Sequence, residues 1–423
     1  MKVIAQGEPA THGRFGCLLG ILLCHCGPQN PAGSGGAAGA GAGGGGPSSG
    51  VAATVVSEQR SVPAHSARLW ELTLESRALG KQTRARLLVP ARYLSAPNER
   101  WPVLYLLHGG TDDYKSWSDK TALESMGEAT ELLIVMPDSG FAATYSDWYN
   151  GGNFGPPRWE TYHLEELRLL LEQRYRANGR YVVAGLSSGG YGSMKYAARH
   201  PDLFRAAASF SGNLDRTSKD DLGAMQGDSA FTSLMEQSAP HAQWGDPARE
   251  EVRWRTHNPV DLAPNLRGMP LSVATGDGRQ GGCSPGSGTD PVEAAVLVKN
   301  QTFTQRLNQL GIAFTRRFYS PGTHTWCFWQ SELQAALPML KQALSQERSA
   351  PAAFSYRSAE DAFSVWSWTF QVSDRAGLAF TDIDASASSV AATGNGRLQV
   401  TTPPAYQANR RYRVGSAEVQ ADA

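Results

Sequence analysis

The sequence predicts an α/β fold followed by a small all-β module, and three observations carry that expectation. Between about 55 and 348, apolar runs alternate with segments of helical periodicity, the pattern of strands and helices layered on one sheet. Two of the runs, 103–107 (VLYLL) and 132–136 (LLIVM), are unbroken, as parallel strands covered on both faces require. Beyond about 348 the period drops to two: Trp366, Trp368, Phe370 and Val372 alternate with Ser367, Thr369 and Gln371, as on a half-buried strand.

Taken in order, residues 1–50 do not read as a folded domain. Lys2 and Arg14 make a positive start, and the apolar run 17–24 (CLLGILLC) is too short to span a bilayer. Small-residue sites follow at Ala38-Gly39-Ala40 and Ala40-Gly41-Ala42, the layout of a secretory signal. The rest, to Gly50, has the composition of a flexible linker and holds ten of the 45 glycines between 31 and 50. A lipoprotein site at Cys24 is disfavoured by Leu23, where a small residue is wanted. The chain is therefore expected to be secreted or held at the cell envelope. Lys+Arg and Asp+Glu both number 39, so the net charge is zero. That excludes a nucleic-acid binder, which needs a basic excess, and an acidic disordered tail. Of five cysteines, only Cys283 and Cys327 lie outside the leader. They read either as a disulfide of an exported chain or as two buried thiols. No paired Cys or His spacing points to a metal, and no cofactor is implied.

In the main body, Leu164, Leu167 and Leu171 mark an amphipathic helix among charges. Strands are expected over 181–184, 206–210, 271–275 and 314–319, and helices over 189–200, 292–310 and 329–344. The stretch 213–269 has no clear period and reads as short helices and loops over one end of the sheet. After it, 398–400 and 412–414 are further strand candidates in a module placed at 360–423, whose tryptophans read as core.

Gly185-Leu186-Ser187-Ser188-Gly189 is the strongest motif. G-x-S-x-G sets a serine on a tight strand-to-helix turn, and the strand YVVA before it and the helix after it supply that context. Ser187 is the candidate nucleophile. A serine needs a base, and in an α/β-hydrolase the order is Ser, then Asp or Glu, then His. Of the four later histidines, His200 closes a helix, while His241 and His257 lie in the irregular stretch. His324 follows a late strand and precedes the last helix, where the base belongs. Backbone N–H groups of Ser188 and of Gly110, in His108-Gly109-Gly110 after the run VLYLL, are the candidate oxyanion donors; His108 itself reads as structural. For the acid, position favours Asp277, after the strand LSVAT, but Asp290 and Glu293 also lie between serine and histidine, so spacing leaves the choice open.

These stretches resemble the antigen 85 mycolyltransferases and the wider esterase D group of α/β-hydrolases. The matching segments are YLLHGGTDDYKSW (105–117), MPDSGFAATYSDWY (136–149), WET (159–161), GLSSGG (185–190), NQTF (300–303) and GTHTWCFW (322–329), collinear over about 100–345. The resemblance implies an α/β-hydrolase at 55–348 and a glutamate acid ten residues before the Phe of the NQTF segment. That is Glu293, with Asp277 as the alternative. The chain differs in having His108-Gly109-Gly110 where antigen 85 proteins have Asp-Gly-Leu, and in the module after 360. Trp326, beside the base, reads either as lining the acceptor site or as packing the loop. Asp112 and Asp113 read as a polar acceptor contact or a solvated turn. A Cys283–Cys327 bridge would tie the acid loop to the histidine loop.

The function expected is a serine acyl-enzyme esterase or acyltransferase acting on lipid or carbohydrate esters. A plain secreted carboxylesterase or carbohydrate esterase is the alternative, and a non-catalytic envelope binding protein is the reading from a different class.

Overall fold

The computed structural model describes residues 2–6, 50–126, 131–217, 222–387, 389–403, 411–414 and 417–420. The apolar run 17–24, the small-residue sites at 38–42 and the three leader cysteines lie outside them. The chain divides into two compact units, one within Ser48–Ser349 and the other built from Ala350 onward together with β1 (Lys2–Gln6).

The larger unit opens with β2 (Thr54–Arg60), β3 (Leu69–Ser76) and β4 (Lys81–Leu88). It continues with β5 (Trp101–Leu107), β6 (Leu133–Pro137), β7 (Ala177–Leu186), β8 (Phe204–Phe210), β9 (Leu271–Thr275), the short pair β10 (Arg279–Gly281) and β11 (Ser284–Thr289), and β12 (Thr315–Phe318). Among the described residues, nine of these form one sheet in the order 12-9-8-7-5-6-4-3-2. The strands from β6 to β12 run parallel, and β4, β3 and β2 add antiparallel to the β6 edge. The parallel strands are apolar because helices cover both faces. Leu104, Leu106, Val182, Ala184, Ala206 and Ala208 pack with Leu333, Leu337 and Leu340 of the final helix, Trp326–Ser345. Each fully buried leucine adds roughly 1.5–3 kcal/mol.

The expected strands of the main body are present within a few residues. The three antiparallel strands before residue 90 were not anticipated, although β3 alternates Leu72 and Leu74 with Glu71 and Thr73. The helix expected around Leu164 starts earlier, at Trp159–Thr161. It passes through a π turn at Tyr162–Leu167 before Arg168–Arg174, and that turn buries Tyr162, His163, Leu164, Glu166 and Leu167 together. The stretch 213–269 holds short helices, the longest being Leu222–Met235. β10 and β11 also escaped notice, because a Gly-rich segment has little strand propensity.

In the smaller unit β13 (Ala353–Ser358), β16 (Thr381–Ser386) and β17 (Val390–Thr393) form one antiparallel sheet. β1, β18 (Arg397–Thr401), β15 (Trp368–Ser373) and β14 (Ala362–Val365) form another. Phe363, Val365, Trp368, Phe370, Ile383 and Val400 make its core. Trp366 is a correction to the period-two reading. It does not belong to the strand: Val365 pairs with Trp368, and Trp366 and Ser367 form the two-residue turn, with φ of 53° and 68°. Such a turn needs positive φ at both central residues. Lys2–Gln6, within the segment expected from sequence to be a leader, lie along β18 as an edge strand.

Candidate active site

The serine turn is tight enough to dictate its own sequence. Ser187 takes φ 50°, ψ −120° between β7 and the helix Ser188–Arg199, a backbone state an L-residue holds only where its surroundings enforce it. Its N–H donates to Phe210 O at 2.9 Å. A Cβ on Gly185 would strike Gly189 O, and one on Gly189 would lie 2.5 Å from His108 O. The glycines are thus there for close approach, and the serine is left partly exposed at the C-terminal end of the parallel strands.

His324 Nε2 stands 2.9 Å from Ser187 Oγ, and its Nδ1 is 2.7 Å from Glu293 Oε2. A carboxylate on Nδ1 keeps the proton there and leaves Nε2 to accept from the serine hydroxyl. Glu293 is fully buried in the first turn of the helix Pro291–Gln309. Its Oε1 accepts from Ser211 Oγ (2.8 Å), Thr275 Oγ1 (2.9 Å) and Gly276 N–H (2.6 Å), so the buried carboxylate is satisfied on both oxygens. Ser211 in turn accepts from Trp329 Nε1 at 3.0 Å, and the Trp329 ring stands edge-on to His324 with centroids 4.9 Å apart. Asp277 is not brought to the base. Its carboxylate accepts from Arg279 N–H at 3.0 Å and faces the Arg279 guanidinium at 3.6 Å. Burial tends to raise its carboxyl, and Ser320 and Arg279 pull it net below the usual range.

The loop after β5 lies against the serine turn. A Cβ on Gly109 would sit 3.3 Å from Ser187 Cβ, and one on Gly110 would sit 3.3 Å from Ser188 Oγ. Thr111 N–H donates to Phe141 O at 2.7 Å and fixes that loop to the next one. Among the described residues, Gly110 N–H and Ser188 N–H donate to no other residue, and Ser188 opens the helix, where the first N–H groups have no intrahelical acceptor. His108 is structural: its Nδ1–H donates to Gly109 O at 2.7 Å and its Nε2 accepts from Ser139 N–H at 3.1 Å.

Behind the serine helix lies an ion cluster that sequence reading missed. Lys195, with no exposed surface, reaches Glu160 Oε2 at 2.7 Å and Tyr145 O at 2.6 Å. Glu160 Oε1 also accepts from Arg199 Nε and His200 Nε2, each at 2.8 Å. His200, expected to be a cap or surface group, is therefore part of this cluster. Burial raises the Glu160 carboxyl, but Arg199, Lys195 and His200 outweigh it and hold it well below the carboxylate range. Tyr145 OH donates to His108 O at 2.7 Å, so the cluster connects the serine helix to the loop bearing Gly110. The WET match marked this site, but without saying that Glu160 was its centre.

Trp326 packs edge-on against Trp117 (5.3 Å) and Trp329 (5.4 Å), and the Lys120 ammonium lies 4.9 Å over its ring. Lys120 also pairs with Asp112 Oδ1 at 2.5 Å, and Asp113 pairs with Lys115 at 3.3 Å. Cys283 and Cys327 are joined as a disulfide with Cα atoms 6.2 Å apart, tying the β10–β11 turn to the first turn after His324. The bridge spans 44 residues. Removing it by Cys283→Ser with Cys327→Ser is expected to cost about 4 kcal/mol on chain-entropy grounds, read as a lower midpoint in urea unfolding.

Residues 76–340 match the esterase family described as "Putative esterase". An esterase of Mycobacterium tuberculosis strain H37Rv is 31% identical over 251 residues, 58% of this chain and 53% of that protein. The chain thus spans about half the length of the curated relatives it first matches. The diacylglycerol acyltransferase/mycolyltransferase Ag85B of Mycolicibacterium smegmatis is 30% identical over 260 residues, 57% of this chain and 77% of that protein. Among solved structures, MPT51 of Mycobacterium tuberculosis superposes with a TM-score of 0.51 at 23% identity, over 64% of this chain and 97% of that one. An S-formylglutathione hydrolase from Agrobacterium tumefaciens does so with 0.52 at 19%, over 69% and 99%. The family match shows the family and the superpositions share the fold: the chain belongs to the esterase family, on an α/β-hydrolase fold.

Proposed function

We propose that the protein is a serine acyl-enzyme esterase or acyltransferase with Ser187 as nucleophile, His324 as base and Glu293 as the acid that orients it. The observation that carries this is the continuous line Glu293–His324–Ser187, at 2.7 and 2.9 Å, on a strained serine turn. Ser187 Oγ attacks the ester carbonyl carbon as its proton passes to His324 Nε2, and the carbonyl π pair moves onto oxygen. Gly110 and Ser188 N–H groups stabilise that oxyanion. On collapse the C–O bond to the alcohol breaks, and the alcohol leaves with the proton from His324. Water or an acceptor alcohol then gives its proton to His324 and takes the acyl group by the same steps in reverse.

The substrate proposed is an acyl ester of a lipid or carbohydrate, with no cofactor. The partly exposed Trp326 and the neighbouring Asp112 are the groups proposed to line the acceptor side. Export is part of the proposal, supported by the 17–24 run and by a disulfide of the kind oxidising compartments maintain. Among the described residues, no helix is long and apolar enough to cross a membrane.

A fluorophosphonate probe tests the chemistry. Wild type is expected to label at Ser187, with the adduct located by peptide mass spectrometry, and an unlabelled wild type overturns the reading. Turnover of a short p-nitrophenyl ester is then followed with and without trehalose. Acceleration with formation of acylated trehalose assigns transfer, whereas an unchanged rate assigns hydrolysis. For export, N-terminal sequencing of protein from the culture medium is expected to begin beyond Ala40. Secreted chain still starting at Met1 rejects the leader.

A further inference from the structure

Asp290 was one of three acids that spacing left open, and the mechanism above does not use it. It lies just before the helix Pro291–Gln309 that carries Glu293. Its two carboxylate oxygens do different things. Oδ1 caps the helix, accepting from Val292 N–H (2.9 Å) and Glu293 N–H (3.3 Å). Oδ2 accepts the main-chain N–H of His324 at 2.7 Å, across a sequence gap of 34 residues. One side chain therefore holds the backbone of the acid and the backbone of the base at once.

The surrounding main chain leaves it little freedom. Asp290 N–H donates to Gly278 O (2.7 Å), Gly278 N–H donates to Gly322 O (2.7 Å), and Gly322 N–H donates to Arg279 O (3.0 Å). A Cβ on Gly278 would lie 2.7 Å from Asp290 O, and one on Gly276 would lie 2.5 Å from Gly322 C. The acid loop and the base loop are thus packed backbone on backbone, and Asp290 is the side chain that bridges them.

We infer that Asp290 is a positioning residue for the acyl-transfer reaction: by joining the first turn of the acid helix to the main chain of His324, it sets the register of Glu293 against the imidazole. The inference rests on the proposed triad. It explains why an aspartate, with two acceptor oxygens, stands where a helix cap alone would accept Ser or Asn equally well. In Asn one terminal atom is an amide that can only donate, so in either orientation one of the two backbone sites loses its acceptor.

Those caps make the test. Asp290→Asn and Asp290→Ser keep a good N-cap, and Asp290→Ala has neither function. In the full chain, Asn and Ser variants are expected to keep the wild-type Tm and KM. Their kcat for a p-nitrophenyl ester, and their rate of fluorophosphonate labelling, should fall by up to about 10²-fold, the cost of displacing a catalytic group by roughly 1 Å. Asn and Ser variants with wild-type kcat and labelling rate, and a loss confined to the Tm of Ala, overturn the inference and leave a helix cap. Loss of Tm in parallel with kcat in all three variants overturns it as well. Failure of the triad itself looks different: wild type and Ser187→Ala would then label alike.

Discussion

Ser187→Ala is expected to lower kcat/KM for a p-nitrophenyl ester by about 10⁶-fold, Glu293→Gln by about 10⁴-fold, and Asp277→Asn to leave it near wild type. The ordering follows from what each group touches. Without the hydroxyl there is no acyl-enzyme, and only binding and the oxyanion donors remain. With Gln at 293 the imidazole loses the acceptor that keeps its proton on Nδ1, so the wrong nitrogen can face the serine. Asp277 interacts with Arg279 and does not meet the imidazole, so the amide costs the reaction little. Steady-state kinetics on the three folded variants checks the series. An inactive Asp277→Asn beside an active Glu293→Gln would reverse the assignment of the acid.

An effect on stability as large as that of the disulfide is expected at Glu160. Glu160→Gln is expected to destabilise the larger unit by about 3–5 kcal/mol, because it removes the carboxylate charge that pairs with the fully buried Lys195. Chemical denaturation of wild type and variant measures it. A loss below 1 kcal/mol would mean that the cluster relaxes or admits water. Acid should mimic the variant. The carboxyl is held below its unfolded value, so its contribution is complete above that value. It disappears as pH falls through the lower folded value and Glu160 protonates. Wild type is therefore expected to lose stability more steeply than Glu160→Gln across the most acid part of a pH series.

Local signals made much of this molecule readable. The runs VLYLL and LLIVM are buried end to end, and periodicity reports that directly. The serine turn was legible because sterics force glycine on both sides of Ser187. Spacing alone did not pick out the acid, because Asp277, Asp290 and Glu293 are all carboxylates between the serine and the histidine; the family resemblance is what preferred Glu293. What separates them is which one meets Nδ1, a contact across 31 residues. The ion cluster was hidden for the same reason: Lys195 reads as a surface residue until Glu160, Arg199 and Tyr145 O are placed around it. Trp366 misled because alternation continues through a two-residue turn, and only its positive φ marks the break.

Ser187 and His324 meet across 137 residues. A chain being synthesised from its N-terminus therefore presents the nucleophile turn long before it owns a base, and closing so long a loop is slow relative to forming local helices. Reactivity toward a fluorophosphonate is thus a clock for the last stage of maturation. During refolding, labelling should lag the recovery of helical signal, because the helix after Ser187 can form before His324 arrives.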